Sequence, residues 1–217
     1  EKEKGKVIAI LADMQGPKLR EGNLKEEKVW LEEGQTFTLD MKDKLGDNTR
    51  VCLPHEEIFA AIKVGDKLLV NDGYIVLEVI KASKTSMDTI VKVGGYISSH
   101  KGVNLPNTTL NISAVTEKDK KDIKFALQND VDWIGLSFVQ RVEDIIEVKK
   151  LIKGKAKIIA KLEKPSAIND LDNIVKESDA IMVARGDLGV ECPLPTVPVL
   201  QKRIIKTCRF YAKPVIV

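Results

Sequence analysis

The sequence predicts an α/β protein in which strands and helices alternate along a parallel sheet, interrupted by an all-β insert. Three observations predict it. Short, nearly continuous apolar runs at Val7 to Ala12, Trp133 to Leu136, Lys157 to Ala160 and Ala180 to Ala184 have the pattern of strands buried on both faces. The stretches between the later runs carry apolar residues at helical spacing. From about Glu21 to Asn107 the text instead becomes short alternating runs broken by turn signals.

Taken in order, Val7 to Ala12 is the first strand, ended by Asp13. In the β-rich stretch, Gly34-Gln35, Gly46-Asp47-Asn48, Gly65-Asp66, Asn71-Asp72-Gly73 and Gly94-Gly95 punctuate the chain. Lys67 to Val70, Ile75 to Ile80 and Thr89 to Val93 are strands at a spacing that predicts a small antiparallel barrel or sandwich. After Pro106, Thr116-x-x-Asp119 has the form of a capping box, followed by Ile123, Phe125, Ala126 and Leu127 as apolar helical positions. Val142, Ile145, Val148 and Ile152 stripe the next helix. Pro165 suits a first helical position, with Ile168, Leu171, Ile174 and Val175 as the buried stripe of one helix. Leu200, Ile204, Cys208 and Tyr211 stripe the last, which stops near Lys213-Pro214 before a strand at Val215 to Val217. Five strands are too few to close an eight-stranded barrel, so the parallel sheet is either doubly wound or part of something larger. The opening at Glu1 without Met and the close inside an apolar run predict a piece of a longer protein.

Composition narrows the function. The 217 residues hold 35 Lys and Arg against 32 Asp and Glu, interspersed, for a net charge of +3, which disfavours nucleic-acid binding through a broad basic face. No apolar run approaches the roughly 18 residues of a membrane helix, and a cytoplasmic location is expected. Cys52, Cys192 and Cys208 form no C-x-x-C pair, and with His55 and His100 as the two histidines, carboxylates and lysines must carry any chemistry.

In parallel architectures ligands bind at the carboxyl ends of strands, so the residues to inspect are Asp13 and Arg20, Ser137, Lys161 and Glu163, and Arg185-Gly186-Asp187. Lys161 and Glu163 are two apart and share a face of an extended segment. Glu163 and Asp187, at adjacent strand ends with oxygen-only surroundings, suit Mg²⁺ or Mn²⁺ completed by water and substrate oxygens. The bland alternatives are surface carboxylates, a structural Lys161–Glu163 ion pair, and glycines that simply turn the chain. Lys118, Lys120 and Lys121, alternating with Asp119 and Asp122, are a solvated helix face.

Four segments resemble pyruvate kinases, in that family's order: Ala12 to Arg20, Lys101-Gly102-Val103-Asn104-Leu105-Pro106, Ile158 to Glu163, and Ile181 to Glu191. The resemblance spans the chain but about half of the family's usual length. It implies a partial (β/α)₈ TIM barrel with an inserted all-β domain: residues 1–20 as the third-strand segment, 21–106 as the β-rich B (lid) domain, and 107–217 as the barrel units to the seventh strand. The implied reaction moves a phosphoryl group from phosphoenolpyruvate to ADP, giving pyruvate and ATP with Mg²⁺ or Mn²⁺, in a cytoplasmic homotetramer.

The resemblance also implies roles. Lys161 stabilises the enolate and the transferring phosphoryl charge; Glu163 and Asp187 hold the divalent ion. Gly186 and Asp187 meet the substrate carboxylate through their backbone. Arg20 and Lys101 bind nucleotide phosphates, and Asp72 is a lid carboxylate facing the cleft. Many members carry Thr-Lys-Gly-Pro-Glu where this chain has Met14-Gln15-Gly16-Pro17-Lys18. In the branch it resembles, lysine at Lys18 supplies the charge that K⁺ otherwise provides, so K⁺ is not required and Asp13 pairs with Lys18. The alternatives are a Mg²⁺-dependent aldolase or lyase of oxo-acids, and a folded fragment without catalysis.

Overall fold

The computed structural model describes Gly5, residues 8–106, Thr108, Leu110 and residues 112–217. Val7 and Asn107, the expected limits of the first strand and of the β-rich stretch, lie outside these residues. The chain forms two compact units, residues 1–17 with 113–217, and residues 18–112.

In chain order the elements are β1 (Leu11–Met14), then, in the second unit, β2 (Lys28–Leu31), β3 (Thr36–Asp40), β4 (Arg50–Cys52), α1 (Glu56–Ala61), β5 (Lys67–Val70), β6 (Ile75–Ala82), β7 (Ser86–Val93), β8 (Gly95–Ser98) and β9 (Val103–Asn104). The first unit resumes with α2 (Glu117–Gln128), β10 (Trp133–Leu136), α3 (Val142–Ile152), β11 (Lys157–Leu162), α4 (Pro165–Asn169), α5 (Leu171–Glu177), β12 (Ala180–Val183), α6 (Arg185–Glu191), α7 (Val197–Phe210) and β13 (Val215–Ile216).

The sheet of the first unit runs β1-β10-β11-β12-β13, every pair parallel. Strict sequence order with no reversal is barrel progression; a doubly wound sheet would reverse direction at a switch point. The unit is therefore a segment of a (β/α)₈ barrel. One face of its strands, including Ile134, Leu136, Ile158, Ala160, Leu162, Ile181 and Val183, is buried in a core shared with Ile145, Val148, Leu171, Ile174 and Ile204. Each such aliphatic contributes about 1.5–3 kcal/mol by leaving water.

The helices start where local chemistry says they should. Thr116 caps α2 with a complete capping box, and Pro165 is at the first position of α4. Four expectations need correction. β1 begins at Leu11 and runs through Asp13, and Ile8 and Ile10 are exposed, because this strand lies at the sheet edge with a partner on one side. Phe125 is exposed, on the outer face of α2, while Ile123 and Ala126 face the core. The helix expected from Pro165 onward is two, α4 and α5, broken at Asp170, whose carboxylate accepts the Val142 N–H (2.7 Å). Asp119 is fully buried instead of solvated, and its Oδ1 accepts the Gly16 N–H (3.2 Å).

The second unit is a six-stranded sheet, β4-β3-β7-β6-β5-β9, with a two-stranded β2–β8 ribbon. Its pairs are antiparallel except β3–β4, and Phe37, Leu39, Val51, Leu68, Ile75, Leu77 and Met87 fill its core. α1 is a correction to the all-β reading: Ile58 and Phe59 are buried, but His55 gives the helix no side-chain cap for sequence to show. Arg50 binds Asp40 in a two-pronged pair (2.6 and 3.0 Å) beside the parallel β3–β4 contact.

Candidate functional site

The register of the parallel sheet places Asp13 beside Gly135 and Gly135 beside Ile159, one row before Lys161 on the same face. Gly135 matters because it lacks a side chain: a Cβ there would stand 3.2 Å from Asp13 Oδ1. The Asp13 carboxylate thus reaches across β10 to Lys161 on β11, with Nζ 3.1 and 3.2 Å from its two oxygens. The same ammonium donates to Ser137 Oγ (2.8 Å) and lies 3.3 Å from Glu163 Oε1. Glu163 is 2% exposed, and its other oxygen accepts the Phe138 N–H (3.1 Å) from a residue held at φ +56°.

This arrangement sets the charges. Burial works against the Lys161 ammonium, but Glu163 and Asp13 outweigh it and its pKa stands above the ordinary lysine value. Burial raises Glu163, opposed by Lys161 and reinforced by the charge of Asp187. Asp13 has Lys161 as a partner, and Met14 turns its side chain into the apolar core.

Gly186 and Asp187 lie in the first turn of α6, directly after β12. First-turn N–H groups have no acceptor within the helix. Asp187 is half-buried, and a Cβ at Gly186 would meet open space. For a divalent cation, the described residues gather no cluster of three or more His, Cys, Asp or Glu ligands. Glu163 and Asp187 nevertheless fit Mg²⁺, which takes one or two carboxylates and leaves its other positions to water and substrate oxygens. Both Glu163 oxygens already accept a hydrogen bond, yet each retains a lone pair.

Within the second unit, the backbone segments that carry Arg20, Lys101 and Asp72 run next to one another at Gly102. Arg20 bridges Gly102 in antiparallel fashion, and the Asn71 N–H donates to the Gly102 carbonyl (3.0 Å). Asn71 and Asp72 both take φ +54°, forming the tight turn between β5 and β6. Arg20 donates through Nη1 to the His100 carbonyl (2.7 Å), and Lys101 helps line a cavity of about 550 Å³ with Lys28, Tyr96 and Ser98. Lys18 passes its stem beside Gly102, with Cε 3.5 Å from a Cβ placed there.

Gly135 and Phe138 escaped the sequence reading, and Ser137 was noted there without a role. A glycine in the short strand Trp-Ile-Gly-Leu is the signal that some group passes close above it.

A sheet of parallel βα units that buries a lysine among carboxylates at its strand ends is the site of a (β/α)-barrel enzyme, the class in which that end of the sheet carries the chemistry. The family profile for the barrel domain of pyruvate kinase matches residues 1–217, and the chain belongs to the pyruvate kinase family. It is 50% identical over its whole length to a pyruvate kinase of Methylorubrum extorquens, covering 45% of that protein, and 46% identical to one of Thermotoga maritima, with 99% of the chain and 47% of the relative aligned. The crystal structure of a pyruvate kinase from Cryptosporidium parvum superposes with a TM-score of 0.91 at 30% identity, over 99% of this chain and 46% of that one. The chain thus spans less than half the length of the relatives it matches.

Proposed function

We propose that the protein containing this chain transfers the phosphoryl group of phosphoenolpyruvate to ADP. The P–O bond to the enol oxygen breaks, a P–O bond to the terminal ADP oxygen forms, and protonation of the enolate at carbon gives pyruvate. The observation that carries this reading is the Lys161 ammonium, held by Asp13, Ser137 and Glu163 at the strand ends of a chain matched end to end by the pyruvate kinase barrel domain. A fixed cation acts on charge that develops in the transition state without reorganising. In this reading Lys161 stabilises the enolate oxygen and the phosphoryl in flight. Gly186 and Asp187 orient the substrate carboxylate through first-turn N–H groups, Arg20 and Lys101 bind nucleotide phosphates, and Asp72 faces the cleft from the lid.

Glu163 and Asp187 are the residues that hold Mg²⁺ or Mn²⁺. When bound, that ion neutralises phosphoryl charge and helps align donor and acceptor. Lys18 supplies the positive charge for which other members use K⁺, with Asp13 and Met14 lining the same stretch of chain. Activity in Na⁺ or tetramethylammonium alone is therefore expected, and a steep K⁺ requirement would refute this point. The second unit, as lid, excludes water during transfer. A cytoplasmic homotetramer is the expected setting; no described helix is long and apolar enough to cross a membrane.

The test is twofold. Full-length protein with Mg²⁺ should form ATP from phosphoenolpyruvate and ADP; no ATP sinks the reading. Mn²⁺ should bind the protein more tightly with phosphoenolpyruvate present and fail to bind a Glu163→Gln, Asp187→Asn variant. Unchanged binding in that variant overturns the ligand assignment.

A further inference from the structure

The second unit is stitched where its first and last segments run side by side. Val103 N–H donates to the Leu19 carbonyl (3.0 Å), Glu21 N–H to the Lys101 carbonyl (3.2 Å) and His100 N–H to the Gly22 carbonyl (3.4 Å). Into this seam the chain places Glu21, 1% exposed, in a context of Arg-Glu-Gly-Asn that would ordinarily face water. Its Oε1 accepts the Lys101 N–H, so Glu21 holds residue 101 by both its main chain and its side chain. Among the described residues no group reaches Oε2.

A buried carboxyl with an unpartnered oxygen is costly, and an apolar or hydroxyl side chain would fill the space more cheaply. The immediate neighbours suggest what offsets the cost. Arg20 precedes it and Lys101 is its bonded partner, the two residues read above as nucleotide-phosphate ligands. We propose that Glu21 is a positioning residue for nucleotide binding: its carboxyl braces the Lys101 backbone against the Arg20 segment and so fixes the spacing of the two cations. This rests on the reading of Arg20 and Lys101 as phosphate ligands.

The chemistry of the brace is consistent with that task. Burial pushes the Glu21 carboxyl up to about 8, against its own amide, the Lys101 amide and the charges of Lys101 and Arg20. At neutral pH it is mostly protonated, so it grips the Lys101 N–H without cancelling the field that Arg20 and Lys101 present to a polyphosphate. The other titratable groups around the seam are His55, whose Nε2 lies 3.1 Å from the Arg20 N and O atoms, Cys52 packed against Gly22, and His100, whose carbonyl binds Arg20. Above pH 8 an ionised Glu21 competes with phosphate for the two cations.

The test uses the full-length enzyme with separate titrations of ADP and phosphoenolpyruvate. Glu21→Ala should raise the KM for ADP about five- to tenfold, the effect of losing one buried hydrogen bond, with the KM for phosphoenolpyruvate within about twofold. Glu21→Gln, which keeps the acceptor and stays neutral, should recover most of the loss. The wild-type KM for ADP, divided by that of the Gln variant, should grow between pH 7 and 9. Equal changes in both KM values, no change in either, or a Gln variant as weak for ADP as Ala would overturn the proposal. Should Glu21→Ala fail to fold, amide exchange decides on the wild type: the Lys101 amide must be strongly protected, and exchange at the rate of an open loop sinks the brace. A wild-type enzyme that makes no ATP would defeat the functional reading instead, and the Lys101 amide would still report on the brace.

Discussion

Glu163 and Glu21 are both almost completely buried, one at the strand ends of the βα unit and the other in the seam of the β-rich unit, but they are accommodated by different means. Glu163 lies against a cation, Lys161, and a backbone donor, Phe138 N–H, one for each oxygen. Glu21 has an amide on one oxygen and no group on the other among the described residues. Asp119 is a third solution: fully buried and without an ion pair among the described residues, it takes donors on both oxygens from Gly16 N, Thr116 N and Thr116 Oγ1. The comparison teaches that burial alone does not decide what a carboxyl does. The number and charge of its donors decide how far burial raises its pKa and what the carboxyl can hold in place.

The largest expected effect comes from making the first site resemble the second. Lys161→Met takes the cation from Glu163 and Asp13 together. In full-length enzyme kcat should fall about a thousandfold, the scale of losing a fixed charge aimed at a developing anion. Steady-state assays at saturating substrates measure it, and a fall of less than about tenfold would mean Lys161 is structural.

Next is the pH dependence of stability at the second site. Glu21 titrates near 4.5 when unfolded and near 8 when folded, so between those values the folded state binds more protons and stability falls as pH rises. Relative to Glu21→Gln, the wild type should lose a few kcal/mol across that window and level off above it. Urea unfolding of both proteins from pH 5 to 9 reads the difference, and parallel curves would show that Glu21 stays ionised.

A smaller effect belongs to Lys164 and Glu191, an ion pair (2.6 Å) with little exposure that ties the end of β11 to α6 beside the Glu163–Asp187 region. Lys164→Met leaves Glu191 without this partner and should cost about 3 kcal/mol. Adding Glu191→Leu should restore most of it, since a buried pair is commonly replaceable by apolar groups of similar size. A double variant as unstable as the single one would show that the pair is worth more than its apolar replacement.

Much of this contrast was legible in the sequence, and the reason differs by residue. Lys161 and Glu163 follow an apolar run two residues apart, and period-two geometry alone puts them on one face. β10 was legible to the residue, and the stripe of α3 falls within its bounds, because both carry a clear apolar pattern. Asp13 reaching Lys161 was not legible: it depends on the register of β1, β10 and β11 and on the missing side chain of Gly135, which are relations between strands distant in sequence. Glu21 was invisible for a related reason. Among charged neighbours its pattern is that of a surface residue, and only the pairing of residues 19–22 with 100–103 buries it. The break at Asp170 escaped because Ile168, Leu171, Ile174 and Val175 keep helical spacing through it, while the Asp170 carboxylate at the break serves the Val142 N–H, 28 residues away.

The smallest effect tests the third carboxyl. Thr116 and Asp119 exchange bonds at the start of α2: Asp119 N–H donates to Thr116 Oγ1 (3.1 Å), and Thr116 Oγ1 and N–H donate to Asp119 Oδ2 (2.6 and 2.9 Å). Thr116→Ala removes the hydroxyl from both roles but leaves Asp119 with Gly16 N–H on one oxygen and Thr116 N–H on the other. No oxygen loses its last donor, so the cost should be that of an ordinary cap, about 1 kcal/mol by urea unfolding, and Thr116→Ser should recover most of it. A loss above about 3 kcal/mol would mean that Asp119 depends on every donor it has, and that its accommodation is closer to that of Glu21 than to that of Glu163.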